Sequence, residues 1–191
     1  MAQPFNHQKS IWMKTVLIIS TSPRKGGNSE ILADEFAKGA REAGHKVEKV
    51  CLYDKTINFC KGCLVCQKTQ RCVIHDDADV IARKMKDTDV LVFATPIYYY
   101  EMCGQMKTML DRANPLFPSK YAFRDIYLLA SAAENEASAV DGAVNGLKGW
   151  IACFEKVRLK GVVRGVGATD PGDIRHHSSA LEEAHVMGTN I

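Results

Sequence analysis

The sequence predicts an α/β fold, in which helices cover both faces of a five-stranded parallel sheet of order 2-1-3-4-5, giving a three-layer α/β/α sandwich. Short apolar runs rich in β-branched residues alternate with segments of helical periodicity. Parallel neighbours require helical crossovers, which place helices on the two faces of the sheet. With 191 residues, of which 46% are hydrophobic, the chain is large enough for one continuous core.

Five strands and five helices follow one another along the chain. A strand over 14–20 leads to a helix that Asn28 or Ser29 is expected to cap and that Gly44 ends. A second strand over 46–52 precedes a cysteine-rich insertion over 53–75, which is too long for a simple connection. Asp76 or Asp77 is expected to open the next helix. The later elements are helices over 76–86, 102–114, 138–154 and 178–187 and strands over 89–94, 124–131 and 159–166.

Composition and charge limit the domain organisation and the partners. We expect one domain over residues 13–191, preceded by an N-terminal extension or tag remnant over residues 1–12. A formal net charge of +3 is slight, and basic and acidic residues are interspersed, so we expect no nucleic-acid partner. The apolar runs are too short to span a bilayer, and the first dozen residues lack the hydrophobic segment of a secretory signal. We therefore expect a cytoplasmic protein with no membrane partner.

The loop after the first strand has the composition of an anion site. Ligands of open α/β sheets bind at the carboxyl ends of strands where the strand order reverses, here after strands one and three. Residues 20–29 bring hydroxyls, backbone N–H groups and a helix N-terminus to that point. The spacing matches neither a dinucleotide nor a triphosphate loop, so a phosphate monoester fits better, with a polar turn before a capped helix as the alternative. The residues expected to hold the phosphate are Ser20, Ser22, Arg24, Asn28 and Ser29.

Two further loops favour a flat, apolar ring beside this phosphate. Three adjacent aromatics, Tyr98 to Tyr100, follow the third strand, and stacking and edge contacts suit an isoalloxazine. Core or subunit-interface positions are the alternative for each tyrosine. The small residues after the fourth strand leave room beside such a ring, although an ordinary turn has the same pattern. The residues expected to contact the ring are Thr95, Pro96, Ile97, Tyr98, Tyr99, Ser131, Ala132, Ala133 and Glu134.

Four cysteines form a compact motif with the spacing C-x₂-C-x₂-C-x₅-C, at Cys60, Cys63, Cys66 and Cys72. This spacing is close to ferredoxin-type runs, so the thiolates are candidate ligands of a [4Fe–4S] cluster. Free thiols without a cluster are an equal alternative, and zinc is a lesser one. Without an export signal, a disulfide framework is not expected. The remaining cysteines, Cys51, Cys103 and Cys153, are expected to be small buried hydrophobes.

The loops resemble those of the NADPH-dependent FMN reductase and iron–sulfur flavoprotein group of the flavodoxin-like superfamily. The likeness lies in S-P-R-K-G-G-N-S (22–29), A-T-P-I-Y (94–98) and G-Q-M-K…D-R (104–112). By this resemblance the loop residues Ser22, Arg24, Asn28 and Ser29 hold the FMN phosphate, and residues 96–99 and 131–134 line the isoalloxazine. Many relatives have glycines in place of Ala132 and Ala133. The resemblance also implies a homodimer or homotetramer, in which residues 53–75 meet another subunit.

The first functional hypothesis is an FMN-dependent NAD(P)H oxidoreductase that passes electrons to a quinone, a flavin or a similar small acceptor. No catalytic acid is assigned, because the flavin accepts hydride and the protein supplies binding and orientation. The second hypothesis is an iron–sulfur flavoprotein that carries electrons between protein partners. The mildly basic sequence pI of about 8.4 counts against an acidic carrier of the flavodoxin kind. A thiol- or metal-sensing module is the third.

Overall fold

Six strands form the sheet in the computed structural model, which describes residues 13–191. They are β1 (Thr15–Ser20), β2 (Lys46–Cys51), β3 (Val90–Tyr98), β4 (Glu101–Met102), β5 (Asp125–Ser131) and β6 (Arg158–Gly165). Five strands are parallel in the order β2-β1-β3-β5-β6, and the short β4 pairs antiparallel with the end of β3. Apart from β4 this is the predicted order 2-1-3-4-5, so the predicted fold class is confirmed. The extension predicted over residues 1–12 lies outside the described residues.

Helices cover both faces of this sheet. They are α1 (Asn28–Glu42), α2 (Val65–Thr69), α3 (Asp77–Lys86), α4 (Gly104–Arg112), α5 (Asp141–Ile151) and α6 (Ser178–Thr189). One apolar core forms between the sheet and α1 and α6, and a second forms between the sheet and α3, α4 and α5. The chain is therefore a three-layer sandwich. Within residues 13–191, no helix combines the length and the apolar composition needed to cross a membrane.

Burial explains why the central strands read as apolar runs and the edge strands do not. β5 is buried along its whole length, and β1 is buried from Val16 onward, because helices pack on both faces of these strands. The edge strands β2 and β6 alternate more exposed with less exposed residues and carry lysine and arginine. The exposed polar positions of β2 and β6 agree with their place at the sheet edges.

Two glycines bring α1 and α6 into backbone contact. A Cβ atom at Gly39 would overlap the carbonyl oxygen of His185, and one at Gly188 would overlap the carbonyl oxygen of Phe36. Side chains larger than hydrogen would push the two helices apart. This close packing fixes the axis of α1, and so the position of its N-terminus at the edge of the sheet.

Several element boundaries differ from the sequence prediction. The predicted caps of α1 were wrong: Gly27 is the N-cap residue, and no side chain within residues 13–191 caps this helix. Asp76, in contrast, caps α3 and accepts a hydrogen bond from the N–H of Ala78, as one of the two predicted options. The sequence missed the single-turn helix α2 inside the cysteine-rich insertion. The prediction of a loop after the third strand was also wrong in part, because β3 continues to Tyr98 and turns back into β4.

Candidate functional site

Three loops predicted to carry the chemistry meet in a cleft of about 240 Å³ at the carboxyl ends of β1, β3 and β5. We call them the phosphate loop (20–29), the ring loop (95–100) and the alanine loop (131–135). A fourth segment, 167–174, follows β6 and reaches the same cleft. The lining residues are Ser22, Arg24, Gly27, Asn28, Pro96, Ile97, Tyr98, Ser131, Ala133, Ala168, Thr169 and Pro171.

The N-terminus of α1 opens toward the phosphate loop without a capping side chain. The first turn of any helix leaves N–H groups without intrahelical partners, and the helix dipole makes that end attractive to anions. The carboxylate of Glu30 accepts a hydrogen bond from the N–H of Gly26 at 2.7 Å and pairs with Lys49 at 3.2 Å. Burial alone would raise the pKa of Glu30, but these partners outweigh burial and lower it. The carboxylate is thereby tied to Gly26 of the loop and to Lys49 of β2.

Two buried hydroxyls of the phosphate loop lack partners. The Oγ atoms of Ser20 and Ser29 are fully buried and form no hydrogen bond with any described residue. A buried hydroxyl without a partner is costly, so such groups in native proteins usually face a ligand or ordered water. The Oγ of Ser22 instead accepts from the N–H of Arg24 at 3.1 Å and donates to its carbonyl at 3.0 Å, which shapes the turn. These orphaned hydroxyls fit a bound phosphate ester.

The sequence prediction missed the role of Gly27. A Cβ atom at this position would lie 2.7 Å from the Oγ of Ser22, closer than real Cβ contacts allow. The glycine therefore lets the turn at Ser22 fold directly against the start of α1. The adjacent pair Gly26-Gly27 was the available signal, because paired glycines between a strand and a helix indicate a close backbone approach. Gly26 has a φ of 68°, which a glycine adopts without strain.

Asn28 has a different surrounding from the one that the sequence suggested. Its amide nitrogen donates to the carbonyls of Ala168 at 3.1 Å and Asp170 at 2.9 Å. Its amide oxygen accepts from the N–H groups of Gly172 at 2.9 Å and Ile174 at 3.3 Å. In this arrangement both amide protons are engaged by the segment 167–174, and the Asn28 side chain has none left for a phosphate.

The ring loop is a tight β-hairpin. Tyr99 and Tyr100 occupy its two central positions with φ values of 50° and 63°, a conformation that bulky residues adopt only under strain. Tyr98 lines the cleft, whereas Tyr99 is fully exposed and does not. A Cβ at Gly142 of α5 would overlap the carbonyl oxygen of Tyr100, so α5 supports the hairpin from behind. The structure therefore brings Tyr98, but not Tyr99, to the cleft.

The other predicted residues lie behind the lining or beside it. Ser20, Thr95 and Ala132 are buried beneath the cleft, and Glu134 is exposed on the alanine loop. The thiol of Cys103 is fully buried below them, where it donates to the carbonyl of Thr21 at 3.3 Å. Its backbone N–H donates to the Oγ1 of Thr95 at 3.1 Å. Cys103 thus joins the ends of β1 and β3, the strands from which the phosphate and ring loops begin.

The predictions for the remaining single cysteines were correct only in part. Cys51 is half-buried, and burial together with the neighbouring Glu30 raises the pKa of its thiol to about 11. Cys153 is exposed, so its prediction as a buried residue was wrong. The reason is that α5 ends at Ile151, before the predicted boundary, so Cys153 lies in the following turn and not on the apolar face of the helix.

The four-cysteine motif is not gathered into one site in this arrangement. Cys60 and Cys63 are exposed, Cys72 is half-buried, and the buried Cys66 accepts a hydrogen bond from the Asn114 amide at 3.1 Å. Across residues 13–191, no three His, Cys, Asp or Glu side chains converge as metal ligands would. The donor set suits a cluster of iron and sulfide chemically, but the sulfur atoms would have to move together to hold one.

A buried ion pair closes the base of this cysteine segment. Arg112 of α4 donates to both carboxylate oxygens of Asp76 at 2.8 Å. It also donates to the carbonyls of Asn58 at 2.7 Å and Ile74 at 2.9 Å, which flank the four cysteines. Burial would raise the pKa of Asp76, but Arg112 and Asn58 outweigh it and hold that pKa well below its ordinary value. The insertion is therefore a loop with a fixed base.

Comparison with known proteins decides the family. The family model for NADPH-dependent FMN reductase matches residues 13–165, most of the chain. The chain belongs to this family. An iron–sulfur flavoprotein of Archaeoglobus fulgidus is 41% identical over 103 residues, which cover 54% of this chain and 46% of that protein. A putative NAD(P)H-dependent FMN-containing oxidoreductase of Bacillus subtilis, YwqN, is 29% identical over 183 residues, covering 88% of this chain and 93% of that protein.

Two solved structures share the fold. The NAD(P)H:quinone oxidoreductase of Methanothermobacter marburgensis matches with a TM-score of 0.72 and 20% identity, over 94% of this chain and 96% of that one. The azoreductase AzrA matches with a TM-score of 0.70 and 17% identity, over 93% and 100%. The predicted flavodoxin-like fold and the predicted resemblance are thus confirmed. The chain spans about half the length of the iron–sulfur flavoproteins that it matches.

Proposed function

We propose that this FMN reductase-family protein passes electrons from NAD(P)H, through FMN held in the cleft, to a quinone or a similar small acceptor. One observation carries the cofactor assignment: two buried hydroxyls lack partners, that of Ser29 in the first turn of the uncapped helix α1 and that of Ser20 at the end of β1. A phosphate ester supplies the acceptors that these groups and the helix N-terminus lack. Family membership supports the same cofactor.

The phosphate loop would hold the cofactor by its charged end. The exposed Arg24 lines the cleft and takes part in no ion pair among the described residues, so its guanidinium is available to a phosphate. Ser29 and the first N–H groups of α1 would donate neutral hydrogen bonds. The absence of a side chain at Gly27 lets the turn at Ser22 lie close to the start of this helix. Asn28 contributes through its backbone, because its side chain is engaged elsewhere.

The ring loop and the alanine loop would orient the flat part of the cofactor. Pro96, Ile97 and Tyr98 offer apolar surface on one strand end, and Ser131 and Ala133 offer small side chains on the next. When bound, FMN accepts hydride at N5 and returns electrons to a second substrate. Among the described residues that line the cleft, Arg24 is the one with a charged side chain, and the lining includes no carboxylate or histidine that could serve as a catalytic acid or base. The protein's own part is therefore binding, orientation and partial exclusion of water.

Anaerobic reduction tests this proposal. Protein loaded with FMN is mixed with NADPH and separately with NADH, and the flavin absorbance is followed, after which a benzoquinone is added. We expect bleaching by at least one nicotinamide, followed by return of the flavin absorbance on adding the quinone. Loaded protein that neither nicotinamide reduces, but that a reduced iron–sulfur protein does reduce, would show an electron carrier instead. Equal rates for bound and free FMN would also contradict a role for the cleft.

The second candidate, an electron carrier with a [4Fe–4S] cluster, is favoured by one feature, the four thiols of Cys60, Cys63, Cys66 and Cys72. Several relatives are named iron–sulfur flavoproteins. Iron and sulfide analysis of anaerobically purified protein, with the absorption near ~400 nm, separates the two. Flavin bands without iron reject the cluster.

The cytoplasmic location and the homodimer or homotetramer stay predictions, which cell fractionation and light scattering would test.

A further inference from the structure

The segment 167–174 forms one side of the cleft. Ala168, Thr169 and Pro171 line the cleft together with the phosphate and ring loops. The family match ends at residue 165, so the segment lies beyond the part of the chain that the family model covers. The sequence analysis did not predict this part of the site, because it placed the site in the loops after β1, β3 and β5, whereas this segment follows β6.

The Asn28 amide fastens this segment to the start of α1. It forms four hydrogen bonds, to the carbonyls of Ala168 and Asp170 and from the N–H groups of Gly172 and Ile174. The donors and acceptors are all backbone groups more than 130 residues away in sequence. An amide that donates two hydrogen bonds and accepts two has used its whole bonding capacity. Such a side chain acts as a fixed bracket between two elements.

The other end of the segment is joined to the alanine loop. The N–H of Gly167 donates to the carbonyl of Glu134 at 2.7 Å, and the N–H of Ala168 donates to the carbonyl of Ala132 at 2.9 Å. Within the segment, the Asp173 carboxylate accepts hydrogen bonds from the N–H groups of Thr169 at 3.1 Å and Asp170 at 2.7 Å. The segment is therefore held at both ends and braced in the middle.

We propose that residues 167–174 are a wall of the cofactor cleft and that Asn28 is the positioning residue that keeps this wall in place. The proposal rests on the proposed function, because it assumes that the cleft takes FMN. It assigns Asn28 a task different from a direct bond between its amide and the phosphate. Removing the amide would release the wall from α1 and leave the bound flavin exposed on that side.

Hydrogen exchange on wild-type protein tests the wall directly. Mass spectrometry of a peptide covering 168–174 is compared with and without saturating FMN. Because a ligand that contacts a segment shifts its opening equilibrium, we expect slower exchange in this peptide when FMN is present. Unchanged exchange in 168–174, together with slower exchange in the phosphate loop, would overturn the wall.

Substitution of Asn28 tests the bracket. In N28A we expect faster exchange across 168–174 without FMN and a dissociation constant for FMN raised roughly tenfold. The matched control is N190A, which removes an exposed amide that donates only to the carbonyl of Val186 within α6, and we expect no change in either quantity. D173A removes two hydrogen bonds within the same segment and none to the Asn28 amide. We expect a smaller change in the same direction, which covers the case that N28A does not fold.

The outcomes separate this proposal from the proposed function. Wild-type protein that binds no FMN would contradict the proposed function and the wall together. Wild-type protein that binds FMN, with N28A and D173A binding it equally well, would leave the function standing and overturn the role of Asn28. A weaker affinity in N28A with unchanged exchange across 168–174 would also overturn it, because the loss would then come from α1 itself.

Discussion

Replacing Arg112 by methionine should destabilise the fold more than any comparable surface substitution. The guanidinium is fully buried, and it meets both oxygens of a carboxylate whose side chain is 6% exposed. Removing one partner of a buried pair leaves an uncompensated charge and costs about 3–5 kcal/mol. R112M also removes the hydrogen bonds from the guanidinium to the carbonyls of Asn58 and Ile74, which hold the two ends of the cysteine segment.

Urea unfolding followed by fluorescence measures this loss. For a slope of about 2–3 kcal/mol per molar urea, we expect the midpoint of R112M to fall by roughly 1–2 M. The matched control is R83M, which removes a half-exposed arginine that makes one bond to Asp79 at 2.9 Å. Because half of this arginine is exposed, solvent screens the pair, and we expect R83M to cost less than R112M. A loss in R112M no greater than the loss in R83M would refute a stabilising role for the Arg112–Asp76 ion pair.

The difference in unfolding free energy between wild type and R112M should also depend on pH, in a direction that the pKa of Asp76 predicts. Because the pKa of Asp76 is lowered in the folded state, its pair stabilises wild-type protein above the ordinary carboxyl pKa. Below about pH 4 the unfolded chain binds a proton at Asp76 that folded wild type does not, so the stabilisation of wild type is lost progressively as the pH falls toward the lowered folded pKa. In folded R112M the unpaired carboxylate takes up a proton more readily, which removes the buried charge. We therefore expect the difference in unfolding free energy between the two proteins to shrink as the solution becomes acidic. A difference that stays constant or grows would contradict the reasoning.

Three further predictions follow from packing, burial and the orphaned hydroxyls. G188A should lower the free energy of unfolding by about 2 kcal/mol, because the new methyl overlaps a backbone carbonyl of α1, whereas G149A, with open space around it, should be neutral or stabilising in thermal melts. Burial and a nearby positive charge lower the pKa of His45, so wild-type protein should lose stability as the pH falls below about 6.5. H45Q should flatten that part of the curve of melting temperature against pH, and an identical curve would be evidence against it. S29A should leave apo stability unchanged or slightly higher and weaken FMN about fivefold in a fluorescence titration, whereas the exposed control S179A should do neither.

The fold class could be predicted because the strands and helices show clear patterns of apolar residues and end signals in the sequence. The buried strands β1, β3 and β5 lie between two helical layers, and so their sequences are apolar without alternation. Gly44 ends α1 with a φ of 87°, as its position predicted. Errors arose where tertiary contacts outweighed local preference. The two tyrosines of the hairpin accept strained dihedrals because α5 supports them, which no local pattern reveals.

The candidate site was predictable in its location but not in its connections. The rule that ligands bind where strand order reverses placed the phosphate and ring loops together. The segment 167–174 was not predicted, because its approach depends on bonds from Asn28 to residues more than 130 positions away. The turn signal Asp170-Pro171-Gly172 was visible, but a turn signal does not show which part of the molecule the turn meets.

The affinity for FMN compared with riboflavin tests the central claim most directly. The two flavins share the ring and the ribityl chain and differ in the phosphate that the loop 20–29 is proposed to hold. In a fluorescence titration of apo protein, we expect riboflavin to bind at least about tenfold more weakly, because Arg24, Ser29 and the start of α1 lose their partner. Equal affinities for the two flavins would contradict a phosphate site in this loop.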